Sequence, residues 1–140
     1  MILKSLLNFV TFSLICSLNQ AINYTDSIIQ IKYSLGTRGK YNELIISPNE
    51  ILCGNNHQKL LQEKWDSLTC KLNNIPLSNL EILKVNSNQR YLDKTMTSQL
   101  IILTSNSRFI SPEFDHDNPP EKIEDIVNEI KSFLSSICDF

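Results

Sequence analysis

The sequence predicts an α+β domain of order ββαββα, an antiparallel four-stranded sheet with two main helices packed on one face. Three observations carry this expectation. Residues 28–35 alternate apolar and polar side chains, the period of a half-buried strand. Leu61, Trp65, Leu68 and Leu72 recur at the spacing of an amphipathic helix. Asn118-Pro119-Pro120-Glu121 opens a second helical stripe with the residue types favoured at a helix start. At 140 residues, 41% hydrophobic and 20% charged, the chain is long enough for one domain and apolar enough to fill its core.

Residues 1–21 read as an export signal rather than as part of the domain. Lys4 supplies a positive start, and residues 5–15 form an apolar run. That run is shorter than the roughly 20 residues a membrane-spanning helix needs. Two processing routes fit. One is cleavage near residues 17–21; the other is lipoprotein processing, with Cys16 becoming the acylated N-terminus. The expected location is therefore exported, periplasmic or secreted, with a membrane attachment only through a lipid on Cys16. The mature domain is expected to cover residues 22–140. Asn23-Tyr24-Thr25 fits a glycosylation sequon and is taken as chance.

Along the domain, Ile29, Ile31, Tyr33 and Leu35 face one way and Gln30, Lys32 and Ser34 the other. Gly36-Thr37-Arg38-Gly39-Lys40 then turns the chain, with glycines able to take positive φ. Residues 41–46 return, with Leu44 and Ile46 on one face, until Pro48 ends the ladder. Residues 51–54 carry no clear signal. Asn55 or Asn56 is expected to cap the helix anchored by Trp65, which Asn73-Asn74-Ile75-Pro76 stops. Ser78-Asn79-Leu80-Glu81 reads as a capping box for one or two helical turns, and residues 86–93 as a polar loop.

Residues 98–104 are apolar on both faces, which suits a central strand. Residues 105–107 turn into a fourth strand, 108–114, where Pro112 signals an edge or a bulge. In the last helix Asn118 is the expected N-cap, Pro119 the first helical residue and Glu121 the partner of a capping box, with Glu124 and Asp125 near the positive helix end. Ile123, Ile126, Val127, Ile130, Phe133, Leu134 and Ile137 form its apolar stripe.

Without the signal the cysteines are Cys53, Cys70 and Cys138, an odd number. A Cys53–Cys70 bond is opposed by the helix placed between them, since about 15 helical residues span about 22 Å and a disulfide needs Cα atoms within about 7 Å. Cys53–Cys138 and Cys70–Cys138 remain open, and three buried thiols is the leading expectation.

Composition excludes some functions. The formal net charge is −2 and no long Lys/Arg run exists, so no nucleic-acid surface is expected. No Gly-x-Ser-x-Gly elbow marks a hydrolase. Only His57 and His116 could act as bases. Asp115 beside His116 is not by itself a relay, because adjacent loop side chains need not converge. Cys53, His57, Asp115, His116 and Asp117 are metal-ligand types, with Asp115, His116 and Asp117 the weak candidates for a site. They lack a zinc pair or the rhythm of a calcium loop, so no metal and no cofactor is expected. The tip at residues 36–40 offers backbone N–H groups, a hydroxyl and two cations. Thr37, Arg38 and Lys40 are thus the candidate binding residues, with a solvated hairpin tip the leading explanation of the same residues.

Taken together, Gly36-Thr37-Arg38-Gly39-Lys40-Tyr41, Trp65-x-x-Leu68 and Phe114-Asp115-His116-Asp117-Asn118-Pro119-Pro120 resemble small exported proteins of Bacteroidota over about residues 28–137. In its layout the chain is also similar to emfourin-type inhibitors of thermolysin-like metalloproteases. It lacks their Gly-Gly-Phe-type start, so no inhibitory residue transfers. The lack of a catalytic constellation and the exposed structured tip lead to the expectation of an exported, non-enzymatic domain that binds a protein partner in the cell envelope, of which protease inhibition is one form. The alternatives are an enzyme using Asp115, His116 and Asp117, and a structural envelope lipoprotein held by Cys16.

Overall fold

A computed structural model describes residues 26–138. The export-signal readings, Cys16 and the sequon at Asn23 lie outside the described residues. The domain is α+β and its sheet is antiparallel. The strands are β1 (Ile28–Gly36), β2 (Tyr41–Ile46), β3 (Glu50–Cys53), β4 (Asn56–Lys59), β5 (Thr97–Thr104), β6 (Arg108–Ile110) and β7 (Phe114–Asp115). They run in the order β4-β3-β2-β1-β5-β6, and β7 also pairs with β5. The helices are α1 (Gln62–Asn73) and α2 (Glu124–Ile137), with 3-10 turns at Leu77–Ile82, Gln89–Leu92 and Glu121–Ile123.

The sheet is larger than four strands because residues 50–59 form a hairpin of their own. Cys53 pairs with Asn56, leaving Gly54-Asn55 as a two-residue turn. Gly54 has φ +59 and Asn55 has no positive φ, the demand of a type II′ turn, whose twist matches the strands. Asn55 and Asn56 are consumed by this hairpin and do not cap α1. The helix starts at Gln62, after Leu61, without a side-chain cap.

The core lies on one face. Ile31, Tyr33 and Leu35 of β1, Leu44 and Ile46 of β2, Ile51 of β3, and Leu100 and Ile102 of β5 share a cluster with the helices' Trp65, Leu68, Leu72, Ile126, Val127 and Ile130. These strand positions alternate along each strand and face one another in register, as in Tyr33↔Leu44 and Tyr33↔Leu100. Ile29 breaks the expected alternation. The β1–β5 register shifts between Ile28 and Gln30, and Ile29 sits in that bulge, half exposed. Lys71 Nζ meets Glu129 Oε2 at 2.7 Å, and Ser67 Oγ donates to the same oxygen at 3.1 Å, tying α1 to α2.

β5 is an interior strand, as its apolar faces imply. The expected fourth strand is split around Pro112 into β6 and β7, both on the open side of β5. Between them Ser111 keeps the pairing alive: its Oγ accepts from Leu100 N and its N donates to Leu100 O. The start of the last helix differs from expectation. Asn118 N donates to Asp115 O at 2.9 Å and closes a tight turn. Asn118 therefore does not cap α2, which begins at Glu124 after a 3-10 turn. Glu124 and Asp125 do lie in its first turn, where the helix end favours negative charge.

A disulfide joins Cys53 to Cys138, with Cα atoms 5.4 Å apart, and no cysteine among the described residues is a free thiol. Three buried thiols is therefore not the arrangement. The alternation of β3 turns Cys53 toward the core, and Cys138, just past α2, meets it there. Among the described residues no helix is long and apolar enough to cross a membrane.

Candidate functional site

The β1–β2 hairpin turns through residues 37–40. Thr37 N donates to Lys40 O at 2.8 Å, and Gly36 pairs with Tyr41. Neither Gly36 nor Gly39 takes a positive φ; the expectation that this tip uses its glycines that way is not met. Gly36 serves a close approach instead, since a Cβ there would stand 3.3 Å from the Tyr41 ring. Thr37, Arg38, Gly39 and Lys40 are all exposed.

The tip forms one wall of a cleft of about 680 Å³, within the range of ligand sites. Gly36, Thr37, Arg38 and Tyr41 line this wall. Lys40 is outside it, so the structure brings two of the three candidate binding residues to the cleft. The opposite wall comes from the 3-10 turn Gln89–Leu92 and the chain running on to β5: Arg90, Tyr91, Asp93 and Lys94. Ser34, Thr97 and Gln99, on the sheet face away from the helices, complete the floor. Arg38 Nε reaches across to Asp93 Oδ2 at 3.2 Å. Both side chains are mostly exposed, so the bridge adds little stability. Asp93 holds its position by a left-handed backbone, φ 53, which Asp tolerates better than most residues.

What holds the second wall is Asp115. Its Oδ2 accepts from Ser87 Oγ and from Gln89 N at 2.8 Å, and its Oδ1 accepts from Arg90 N and from Arg90 Nη1, both at 3.0 Å. Burial alone would raise its carboxyl, but the donors from Ser87, Arg90 and Gln89 outweigh it and hold the group at about 2. The expected loop 86–93 is thereby pinned to β7. Arg90 also donates through Nη1 to Ser87 O at 2.7 Å and through Nη2 to Tyr91 Oη at 3.2 Å. The Tyr91 ring lies 4.4 Å from the Arg90 guanidinium carbon. Arg90 Nε is buried without a hydrogen-bond partner.

The loop at residues 115–117 does not converge on a site. Asp115 turns to Arg90. Asp117 Oδ2 accepts from Thr95 Oγ1 at 2.8 Å. His116 Nδ1 lies 3.0 Å from Tyr33 Oη and 3.1 Å from Ser98 Oγ, while the Lys131 ammonium donates to its carbonyl. Burial, then the charge of Lys131, lower the His116 pKa, and burial raises that of Tyr33. Ser98 meets the histidine but is fully buried, so no substrate reaches its hydroxyl in this conformation. Cys53 is committed to its disulfide, which removes it from the metal-ligand candidates, and His57 sits exposed on β4. Among the described residues no three His, Cys, Asp or Glu side chains gather as a metal site.

Arg90, Tyr91 and Asp93 were missed by sequence reasoning. Residues 86–93 read as polar loop, and nothing local ties them to Asp115, which lies 25 residues beyond Arg90. An arginine followed directly by an aromatic residue within such a loop was the one available signal. No known protein family, no curated protein and no solved structure matched this chain.

Proposed function

We propose that this chain is an exported, non-enzymatic domain that binds a protein partner of the cell envelope, with the hairpin tip and the cleft beside it as the contact surface. The observation that carries this reading is the pairing of an exposed cationic tip with exposed tyrosines. Arg38 has 83% of its side chain exposed, and Tyr41 and Tyr91 are 68% and 65% exposed on the same cleft. Arginine and tyrosine are the residue types enriched at protein interfaces and at their energetic centres. Export is supported by the apolar run at residues 5–15 and by the Cys53–Cys138 disulfide, which persists in oxidising compartments. The non-catalytic part of the reading is supported by the divergence of Asp115, His116 and Asp117 and by the burial of Ser98. A protease-inhibitor-like module is its most concrete form, with the tip entering a partner's groove.

The test is capture of an envelope protein by immobilised wild type and by Arg38→Ala combined with Lys40→Ala and with Tyr41→Ala. The expected result is loss of a specific partner from the variants while thermal unfolding stays within about 2–3 °C, the range of surface substitutions. Equal capture by wild type and variants overturns the assignment of this surface. Inhibition of a thermolysin-like metalloprotease, lost in the same variants, would identify the inhibitory form.

A further inference from the structure

We propose that the cleft binds a carboxylate through the Nε–Nη2 edge of Arg90, which is buried beside Tyr91 and is uncovered when the exposed Tyr91 side chain shifts. The inference rests on the protein-binding reading above and names the chemistry by which a peptide would be held. Arg90 is nine-tenths buried and lines the cleft. A guanidinium carries five N–H donors in a rigid planar fork. Nη1 is used twice, on Asp115 Oδ1 and on Ser87 O. The neighbouring edge, formed by Nε and Nη2, is half empty. Nε has no acceptor, and Nη2 meets only the hydroxyl of the exposed Tyr91 at 3.2 Å.

Asp115 does not fill that edge because its oxygens are engaged elsewhere. Two backbone N–H groups, the Ser87 hydroxyl and Nη1 take both of them. A buried charged donor left without an acceptor is an expensive arrangement that folded proteins seldom keep without a use. The missing partner is chemically specified. Two acceptors in one plane, spaced to meet Nε and Nη2, are what a carboxylate presents in a bidentate pair. The Tyr91 hydroxyl yields to it as that side chain shifts over the guanidinium.

The surroundings select among anions. Arg38 and Lys94 add positive charge to the walls, while Asp93 and Glu113 line them too. Those acids oppose a doubly charged phosphate more than a singly charged carboxylate. The cleft, at about 680 Å³, holds far more than one carboxylate group, and Tyr41 and Tyr91 offer flat apolar area to the flanking residues of a peptide. The carboxylate has two possible sources, a peptide C-terminus or an Asp or Glu side chain.

Arginine Nε–Hε resonances in 15N-labelled protein read this edge directly. The probes are acetyl-Ala-Ala-Ala with a free C-terminus, acetyl-Ala-Asp-Ala-amide, and acetyl-Ala-Ala-Ala-amide as the uncharged control. We expect a saturable shift of the Arg90 Nε–Hε resonance with one or both carboxylate peptides and none with the control; the tighter peptide identifies the source. Tyr91→Phe removes the competing hydroxyl and should tighten binding about fivefold, the worth of one hydrogen bond. Arg90→Lys keeps a charge beside Asp115 but has no fork, and should abolish saturable binding while remaining folded. If Arg90→Lys unfolds, the Arg90 resonance and Tyr91→Phe in the folded protein still decide. No saturable shift at Arg90, or unchanged peptide binding in Arg90→Lys, overturns the proposal even if partner capture persists. Carboxylate binding at Arg90 with no captured partner leaves this site standing and defeats the protein-partner reading.

Discussion

Arg90 and Asp115 form a buried ion pair, Nη1 to Oδ1 at 3.0 Å, with 5% and 2% of their side chains exposed. It joins two segments that carry no mutual sequence signal and thereby sets the second wall of the cleft. Such a pair adds little net stability over a hydrophobic replacement, but removing one partner leaves the other charge buried and uncompensated. Asp115→Asn should therefore lower stability by about 3–5 kcal/mol at neutral pH, measured by urea unfolding. The Asp115 carboxyl titrates at about 2 in the folded chain against 3.8 ordinarily. Its contribution is thus present above the unfolded value and lost as pH falls from about 4 toward 2. The gap between wild type and Asp115→Asn should narrow over that window; a gap independent of pH would refute the role given to the carboxylate.

His116 makes a second pH prediction, in a separate range. Its folded pKa is lowered by burial and by Lys131, while Tyr33 Oη, Ser98 Oγ and the nearby Asp117 complete the groups around it. A lowered folded value means that the unfolded chain takes up the proton first. Stability is then full above about 6.5 and falls as pH drops below it. His116→Asn should flatten that part of the curve in urea unfolding between pH 7.5 and 5 (a range set about the ordinary histidine value). An undiminished slope in the variant would place the titration elsewhere.

The disulfide closes a loop between residues 85 apart in sequence. Loop-closure entropy for that length corresponds to about 4–5 kcal/mol, a model-dependent figure. Replacing both Cys53 and Cys138 by serine should lower unfolding stability by about that amount. The first consequence should be loosening of the end of α2, seen as faster amide exchange in residues 133–137. Loss confined to exchange, with global stability unchanged, would mean that packing alone holds this end.

Glycine substitutions separate the two turns. Gly54 has φ +59, so Gly54→Ala should lower stability by about 1–2 kcal/mol. Gly39 has an ordinary φ and nothing within 4 Å of an added Cβ; Gly39→Ala should be neutral or raise stability by up to about 1 kcal/mol. Thermal unfolding of the two variants side by side distinguishes them, and equal losses would contradict the turn geometry.

Much of the fold was legible in local pattern. Alternation located β1 and β2, a run apolar on both faces located β5, and the spacing of Leu61, Trp65, Leu68 and Leu72 located α1. Pro112 marked the break between β6 and β7. These are one-dimensional signals, because a strand or a helix face repeats at a fixed period along the chain. Gly54-Asn55 was a readable hairpin turn as well, but its flanking strands are short and β4 is wholly exposed, so hydrophobic alternation could not support it. The cap residues Asn55 and Asn118 misled for a related reason: the side chains that end one helix serve equally well in turns.

By itself the sequence determined the α+β class, the main periodic elements and the exposure of Thr37, Arg38 and Lys40. The tertiary structure alone decided that Cys53 bonds to Cys138, that Asp115 serves Arg90 and not His116, and that Arg38 meets Asp93 across a cleft. Periodic burial is written into neighbouring residues. A pairing between distant ones is set only when the sheet register and the packing of the loops bring their side chains within a few ångströms, and no local pattern encodes that distance.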